Sequence, residues 1–345
     1  MTRKLGVAVV GLGMAAKPHA LALKALSDDI EVIGTFARST ETRQSFFDTH
    51  GFAPAKSLKL LAENPHVDAL LLITPPNARM DIVSMFANRG KHILCEKPLE
   101  RNFASAQRIV QICETAGVKL GVVFQHRFRA ASQKLAEMII SGELGSVRLV
   151  RANVPWWREQ AYYDEPGRGT YARDGGGVLI SQAIHTLDLM LSLAGPVAAV
   201  QCICATTPFH NMESEDVCAG AIQFVNGAFG MLYASTANFP GEAESLHFDF
   251  DNAAAALKAG VLTIQWRNGK VETFGGEATG TGGGADPMAF PFDWHMSLLS
   301  DFASAVVEDR QPRCTGAMAL EVHRLIGALE QSSRDGQRIK VEMIS

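Results

Sequence analysis

The sequence predicts an α/β protein in two parts. A parallel, doubly wound sheet with helices on both faces comes first, followed by an α+β domain with a large, mostly antiparallel open sheet. Three observations predict this. Apolar strand-like runs alternate with helical stretches through the first third of the chain. A glycine turn joins the first such strand directly to the first helix. Beyond Phe124 period-two runs take over, punctuated by the hairpin signals Asn226-Gly227 and Asn268-Gly269.

Leu5-Gly6-Val7-Ala8-Val9-Val10 is apolar and β-branched, suited to a strand buried on both faces. It runs into Gly11-Leu12-Gly13-Met14-Ala15-Ala16 and then an Ala/Leu-rich helical stretch to about Leu26, with Pro18 tolerated in the first turn. Gly11 permits the tight turn, and Gly13 lets the backbone approach a pyrophosphate at the helix N-terminus. Ala16 permits close packing of helix on strand. Strand, glycine turn and helix in that order predict a dinucleotide site, with Gly11, Gly13, Met14, Ala15 and Ala16 against the cofactor.

The second strand, Glu31 to Phe36, leads to Ala37-Arg38-Ser39-Thr40 rather than to an acid at its tip. An acid there would accept from a ribose 2′-hydroxyl; Arg38 instead offers charge-assisted donors to a 2′-phosphate, and Ser39 and Thr40 add hydroxyls. NADP(H) is therefore favoured, with NAD(H) possible. Ala69 to Ile73 is the next strand, and Thr74-Pro75-Pro76-Asn77 follows it where a loop would lie under the cofactor. Strands at His92–Cys95 and Val118–Val123, with helices near Thr40–Thr49, Ala78–Asn88 and Phe103–Ala116, complete a first domain over 1–123. The His92–Cys95 strand ends in Glu96-Lys97-Pro98. Ligands of open α/β sheets bind outside the carboxyl ends of strands, so Lys97 is placed at the crevice.

The second domain, 124–345, opens with a helix near Ala130–Ser141, a strand at Val147–Val154 and an aromatic, arginine-bearing stretch from Pro155 to Arg173. A helix follows from about Gly177 to Gly195. Strands recur around Val197–Ala205, Val217–Phe224, Gly227–Ser235, Ser245–Asp251 and Val261–Arg267, and helices near Trp294–Glu308 and Gly316–Ser333 close the domain. Gly275–Pro291, with three consecutive glycines at 282–284, reads as a mobile loop.

The helix after Gly175-Gly176-Gly177 is apolar nearly all round, which predicts burial. Ser181, His185 and Asp188 nevertheless fall on one stripe of it, at i, i+4 and i+7. Buried polar groups need partners or a wet cavity, so this stripe is either a core histidine held by Asp188 or a catalytic group. Moving a hydride between an alcohol and nicotinamide also requires moving the hydroxyl proton, a task suited to histidine. An ammonium such as Lys97 would polarise the oxygen.

At 345 residues and 47% hydrophobic, the chain can bury a core large enough for two domains. A net charge of −4 with mixed signs leaves no basic stripe for nucleic acid or an anionic membrane, and no apolar run reaches the length of a membrane span. The six cysteines show neither C-x-x-C pairs nor zinc spacing, which predicts free thiols, a cytoplasmic setting and no metal. Cys202 and Cys204, two apart in a strand, read as packing residues.

The glycine motif, Thr74-Pro75-Pro76-Asn77, Glu96-Lys97-Pro98, Gly175-Gly176-Gly177 with His185 and Asp188, and the hairpin Phe224-Val225-Asn226-Gly227 together resemble the glucose–fructose oxidoreductase, inositol dehydrogenase and rhizopine-catabolism (Gfo/Idh/MocA) oxidoreductases over nearly the whole chain. The resemblance implies a Rossmann domain followed by a domain whose open sheet joins subunits into a homodimer or homotetramer. It implies Lys97 as the substrate-polarising lysine and His185 as acid/base, with Glu96 and Lys97 also against the cofactor. Members often carry an acid or amide four residues before that histidine; this chain has Ser181. Trp156-Trp157-Arg158, Tyr162-Tyr163 and Arg168-Gly169-Thr170-Tyr171 resemble the branch acting on sugars and nucleotide sugars, which makes Arg158, Tyr163, Arg168, Ser181 and His185 the substrate-contact candidates. Such aromatics stack on sugar faces and arginines bind carboxylates or phosphates. The expected activity is an NAD(P)-dependent dehydrogenase or reductase of a sugar, polyol or related compound. A glycosidase that recycles its nicotinamide, or a non-catalytic nucleotide-binding regulator, are the competing readings.

Overall fold

The computed structural model describes residues 3–276 and 291–342. The chain divides into two compact units, 1–123 with 292–320, and 124–291 with 321–345.

In the first unit, β1 (Leu5–Val10), α1 (Ala16–Ala25), β2 (Ile30–Phe36), α2 (Thr40–His50), α3 (Leu58–Glu63), β3 (Ala69–Leu72), α4 (Met80–Ala87), β4 (His92–Cys95), α5 (Phe103–Thr115) and β5 (Leu120–Val122) follow one another. The five strands form one parallel sheet in the order β2-β1-β3-β4-β5. All six residues of β1 and all four of β3 are buried, as the unbroken apolar runs require of strands covered on both faces. The order reverses between β1 and β3, and register places Val10 beside Phe36 and Leu72, Leu72 beside Cys95, and Cys95 beside Val122. Gly11, Ile73 and Glu96 therefore all leave the sheet at the same edge, at its switch point.

The second unit holds α6 (Ala130–Ile140), β6 (Val147–Pro155), the short α7 (Gln160–Tyr163), α8 (Ile184–Ala194), β7 (Val197–Ala205), β8 (Val217–Phe224), β9 (Phe229–Ser235), β10 (Ser245–Phe250), β11 (Ala253–Lys258), β12 (Val261–Trp266) and β13 (Val271–Phe274). Later in the chain come α9 (Asp293–Val307), α10 (Gly316–Asp335) and β14 (Ile339–Lys340). Nine strands pair in the order β13-β12-β11-β10-β6-β9-β8-β7-β14, antiparallel except for β6 beside β9. Gly227 and Gly269 take φ of +87° and +89°, the left-handed conformation that the two Asn-Gly turns demand. Helices α6 and α8 pack on one face of the sheet. The other face leaves Leu149, Ile203, Phe229 and Met231 exposed.

The sequence reading missed the short α3, α7, β13 and β14 as well as β11, and it placed one boundary differently. β11 is Ala-Ala-Ala-Ala-Leu-Lys, which carries no β-branched signal and becomes a strand because β10 and β12 pair with it on both sides. The second difference concerns the expected domain over 124–345: residues 292–320 belong to the first unit. There α9 packs on α1, and Val122 N–H donates to the Cys314 carbonyl at 2.9 Å, occupying the open edge of β5. Of the stretch 275–291 read as a loop, residues 277–290 lie outside the described residues.

Candidate active site

In the first unit three strand ends come together. Gly11 has φ +98°, and a Cβ there would fall 2.6 Å from Thr74 N and 2.7 Å from the Ile73 carbonyl carbon, so glycine is required. At Gly13 a Cβ would meet nothing within 4 Å; the space above the turn is open. Helix α1 begins without a side-chain cap and without an acid in its first turn, while Ala16 packs it against the sheet at 1% exposure. Its uncapped N–H groups and positive dipole end are suited to an anion. Met14 is exposed beside them. These residues fit the pyrophosphate of a dinucleotide.

Arg79, buried at 2% exposure, ties the other two strand ends together. Its Nε and Nη2 donate to the Thr74 carbonyl at 2.9 and 2.7 Å, and its Nη1 donates to the carbonyls of Glu96 and Pro98. The Thr74-Pro75-Pro76-Asn77 loop and the Glu96-Lys97-Pro98 loop are thereby fixed to each other, with Asn77 exposed and Lys97 half-buried. The Lys97–Pro98 peptide bond is cis.

Glu96 is held from two sides. Its Oε1 meets His19 Nε2 of α1 at 2.8 Å, and its Oε2 accepts from the backbone N–H of Lys97 at 3.0 Å. Burial alone would raise its pKa, but the His19 hydrogen bond, and the charges of His19 and Lys97, hold it at about 2. His295 of α9 meets His19 edge-on, with ring centroids 4.8 Å apart. Burial, reinforced by His19 and Lys97, lowers His295 to about 3, so it is neutral.

At the tip of β2, Arg38 is exposed, whereas Arg43 is drawn in by the Ala37 carbonyl at 3.0 Å and lies over the Phe36 ring. Ser39 and Thr40 already have local work. Ser39 Oγ caps α2 by accepting from Thr42 N–H at 3.1 Å, and Thr40 Oγ1 accepts from Arg43 Nη2 at 2.9 Å.

In the second unit, the helix carrying His185 begins as a π-helical turn at Leu179–Ala183 and continues as α8. π-turns recur at functional sites, because the wider turn re-aims side chains. His185 is buried at 6% exposure. Its ring stacks on His126 with centroids 4.9 Å apart, and its Nε2 lies 3.5 Å from Gln125 Nε2, which can only donate. Asp188 does not hold it. Arg127 Nε and Nη2 donate to both oxygens of Asp188, at 2.7 and 2.6 Å. Behind His126 a second chain runs inward. Arg129 donates to His126 Nε2 at 2.6 Å and to Glu244 at 2.7 Å.

The substrate-contact candidates have mixed settings. Arg158 is 2% exposed, with its guanidinium over Trp156 and an Nη1 hydrogen bond to the Trp157 carbonyl. Tyr163 is buried with its hydroxyl 2.6 Å from Thr236 Oγ1. Arg168 pairs with Glu165 and donates to Tyr162 Oη at 3.0 Å, and that hydroxyl also accepts from Gln182 Nε2 at 3.3 Å. This stretch is thus linked to the π-turn three residues before His185. Ser181 sits half-buried in that turn.

Residues 5–124 match the model of the oxidoreductase family with an NAD-binding Rossmann fold, and residues 132–256 match the Gfo/Idh/MocA C-terminal domain. The chain belongs to the Gfo/Idh/MocA oxidoreductase family. It is 27% identical to a myo-inositol 2-dehydrogenase of Thermotoga maritima over 66% of this chain and 67% of that one. It is 26% identical to D-xylose 1-dehydrogenase (NADP(+)) 2 of Haloferax volcanii over 83% and 84%. The solved WlbA dehydrogenase from Bordetella pertussis, in complex with NADH and UDP-GlcNAcA, is 27% identical with a TM-score of 0.83 over 99% of this chain and 100% of that one. The chain is an oxidoreductase of the kind that uses a nicotinamide cofactor on sugars or polyols. Among the described residues no helix is long and apolar enough to cross a membrane, and all six cysteines are free.

Sequence reasoning missed Arg79, His19, His295, Gln125, His126 and Arg127. For Gln125-His126-Arg127 a signal existed, since three polar residues follow an apolar strand end directly. For His19 and His295 there was none, because they are far apart in sequence and meet only through α1 and α9.

Proposed function

We propose that this chain is an NADP(H)-preferring oxidoreductase that transfers a hydride between nicotinamide and a sugar, polyol or related carbonyl or hydroxyl compound. The observation that carries the reading is the setting of His185: a buried imidazole on a π-turn, stacked on His126 and approached by an amide donor, with the neighbouring carboxylate committed elsewhere. That setting supports proton exchange over a core-filling role.

A bound nicotinamide would accept or give the hydride. Lys97 polarises the reacting oxygen, and Arg79 holds its loop. His185 Nε2 takes the proton from the hydroxyl or returns it, and Ser181 holds a further substrate hydroxyl. Thr74, Pro75, Asn77 and the Gly11–Ala16 turn bind the dinucleotide. Arg38 supplies the charge for a 2′-phosphate, supported by its exposure and by Arg43 beside it. Ser39 contributes through its cap of α2, and Thr40 through Arg43. Arg158 and Tyr163 shape the wall of the substrate region from within, and Arg168 orients Tyr162. The substrate class rests on the sugar-directed relatives. The exposed Leu149, Ile203, Phe229 and Met231 face of the sheet supports assembly as a homodimer or homotetramer.

Fluorescence titration with NADPH and NADH, then a spectrophotometric screen of sugars, inositols and nucleotide sugars, tests the proposal. Tighter NADPH and reduction or oxidation of one substrate class are expected. NADH binding tenfold tighter, about 1.4 kcal/mol, would overturn the cofactor reading. Release of a glycosidic leaving group without net change in NADPH would show the glycosidase instead. Binding without turnover of any of these compounds would favour the regulator.

A further inference from the structure

Three thiols converge in the second unit on residues the proposed reaction does not use. Cys204 on β7 and Cys218 on β8 are direct cross-strand partners, and Cys202 lies two residues along β7 on the same face. The Sγ atoms of Cys202 and Cys204 are 3.9 Å apart, and all three sulfurs lie within 4.8 Å of one another. Cys202 and Cys218 are buried and Cys204 is half-buried. Reading Cys202 and Cys204 as packing residues overlooks the third sulfur, which only strand register brings in.

The surrounding backbone is fixed closely. Gly220 faces Cys202 across the ladder, where a Cβ would fall 2.3 Å from that of Cys202, so the two strands approach here as only glycine allows. On the other side α10 holds β7: Ser332 Oγ accepts from Cys202 N–H at 3.1 Å and Ser333 Oγ from Cys204 N–H at 2.7 Å. The sulfurs therefore sit on rigid elements rather than on a loop. Two carboxyl groups lie nearby: Glu215, buried, acts on Cys204, and burial together with Glu215 raises Glu330 to about 7, opposed by Arg334.

Thiolate–zinc bonds of about 2.3 Å in tetrahedral geometry set sulfur–sulfur edges at about 3.8 Å. The Cys202–Cys204 separation of 3.9 Å already meets this. The remaining edges have to close by no more than about 1 Å. We propose that Cys202, Cys204 and Cys218 form a three-thiolate site for a thiophilic divalent ion, Zn(II), with the fourth position open to water. Binding replaces three S–H bonds by three metal–sulfur bonds and releases three protons to solvent, with no electron transferred. The Cys202 thiol gives up its 3.0 Å hydrogen bond to the Leu329 carbonyl in the exchange.

The test uses the full chain, reduced and free of metal, under anaerobic conditions. Titration with Cd(II) should raise a thiolate-to-metal charge-transfer band that saturates at one equivalent, and Zn(II) should displace it. Bound metal should also shield three cysteines from alkylation, counted by mass spectrometry. Cys204→Ser should weaken binding at least roughly 100-fold, since loss of outer-sphere support alone costs 10–100-fold, while Cys113→Ser leaves it unchanged. Absence of the band, unchanged affinity in the folded Cys204→Ser variant, or alkylation of all cysteines in the presence of metal would each overturn the proposal.

Discussion

Arg127 grips Asp188 with two hydrogen bonds of 2.7 and 2.6 Å, so the carboxylate one helical turn beyond His185 belongs to a guanidinium and not to the histidine. Asp188 is fully buried; burial raises its pKa, and Arg127 opposes the rise. Truncating Arg127 would leave the fully buried Asp188 carboxylate without its guanidinium, and truncating Asp188 would remove a carboxylate that Arg127 grips with two hydrogen bonds.

Asp188→Ala should therefore destabilise the protein by about 3–5 kcal/mol, the cost of breaking a buried pair. Urea unfolding measures this directly. The pH profile of kcat/KM in the folded variant provides the second readout. It should keep its wild-type limbs; a displaced limb would show that Asp188 acts on His185 after all.

Lys97→Ala should abolish turnover while NADPH binding stays within a few-fold of wild type, because Arg79 still fixes the loop. His185→Asn should lower kcat by about 10²–10⁴, the usual range for a general acid/base, and remove the corresponding limb of the pH profile. Full activity in either variant would remove that residue from the reaction.

Arg38→Ala should weaken NADPH about tenfold, roughly 1.4 kcal/mol, and leave NADH unchanged. Parallel fluorescence titrations measure both. Equal loss for the two nucleotides would mean that Arg38 does not meet the 2′-phosphate.

The pair of buried groups at Glu96 and His295 predicts how stability falls in acid. His295 is lowered from 6.5 to about 3, so its neutral form is the folded one; its contribution is complete above pH 6.5 and is lost as pH falls toward 3. Glu96 is lowered from 4.5 to about 2, so its contribution is lost over a lower window, from about 4.5 down to 2. Stability measured by denaturant between pH 7 and 4 should decline, and His295→Phe should flatten the upper part of that decline. An unchanged slope in that variant would show that another group titrates there.

Much of the fold was legible because its signals are local. Periodicity marked five parallel strands, and the two Asn-Gly turns marked their hairpins, since a left-handed φ is available cheaply to few residues. The alanine strand β11 was not legible, because its conformation comes from the neighbours that pair with it. Gly11 was read for the right reason: the approach of Thr74 to within 2.6 Å of its absent Cβ is the constraint that a tight turn under a second strand end imposes.

The sequence by itself determined the class of fold, the glycine turn ready for a pyrophosphate, and the presence of a lysine at a strand end and a histidine on an apolar helix. These follow from residue type and spacing along one element. Tertiary structure alone decided the partners: His19 for Glu96, Arg127 for Asp188, His126 and Gln125 for His185, and Cys218 for Cys202 and Cys204. It also decided that residues 292–320 return to the first unit. Hydrogen bonds and charges act over a few ångströms of space, and groups 60 to 77 positions apart become neighbours only when the sheets and helices close around them.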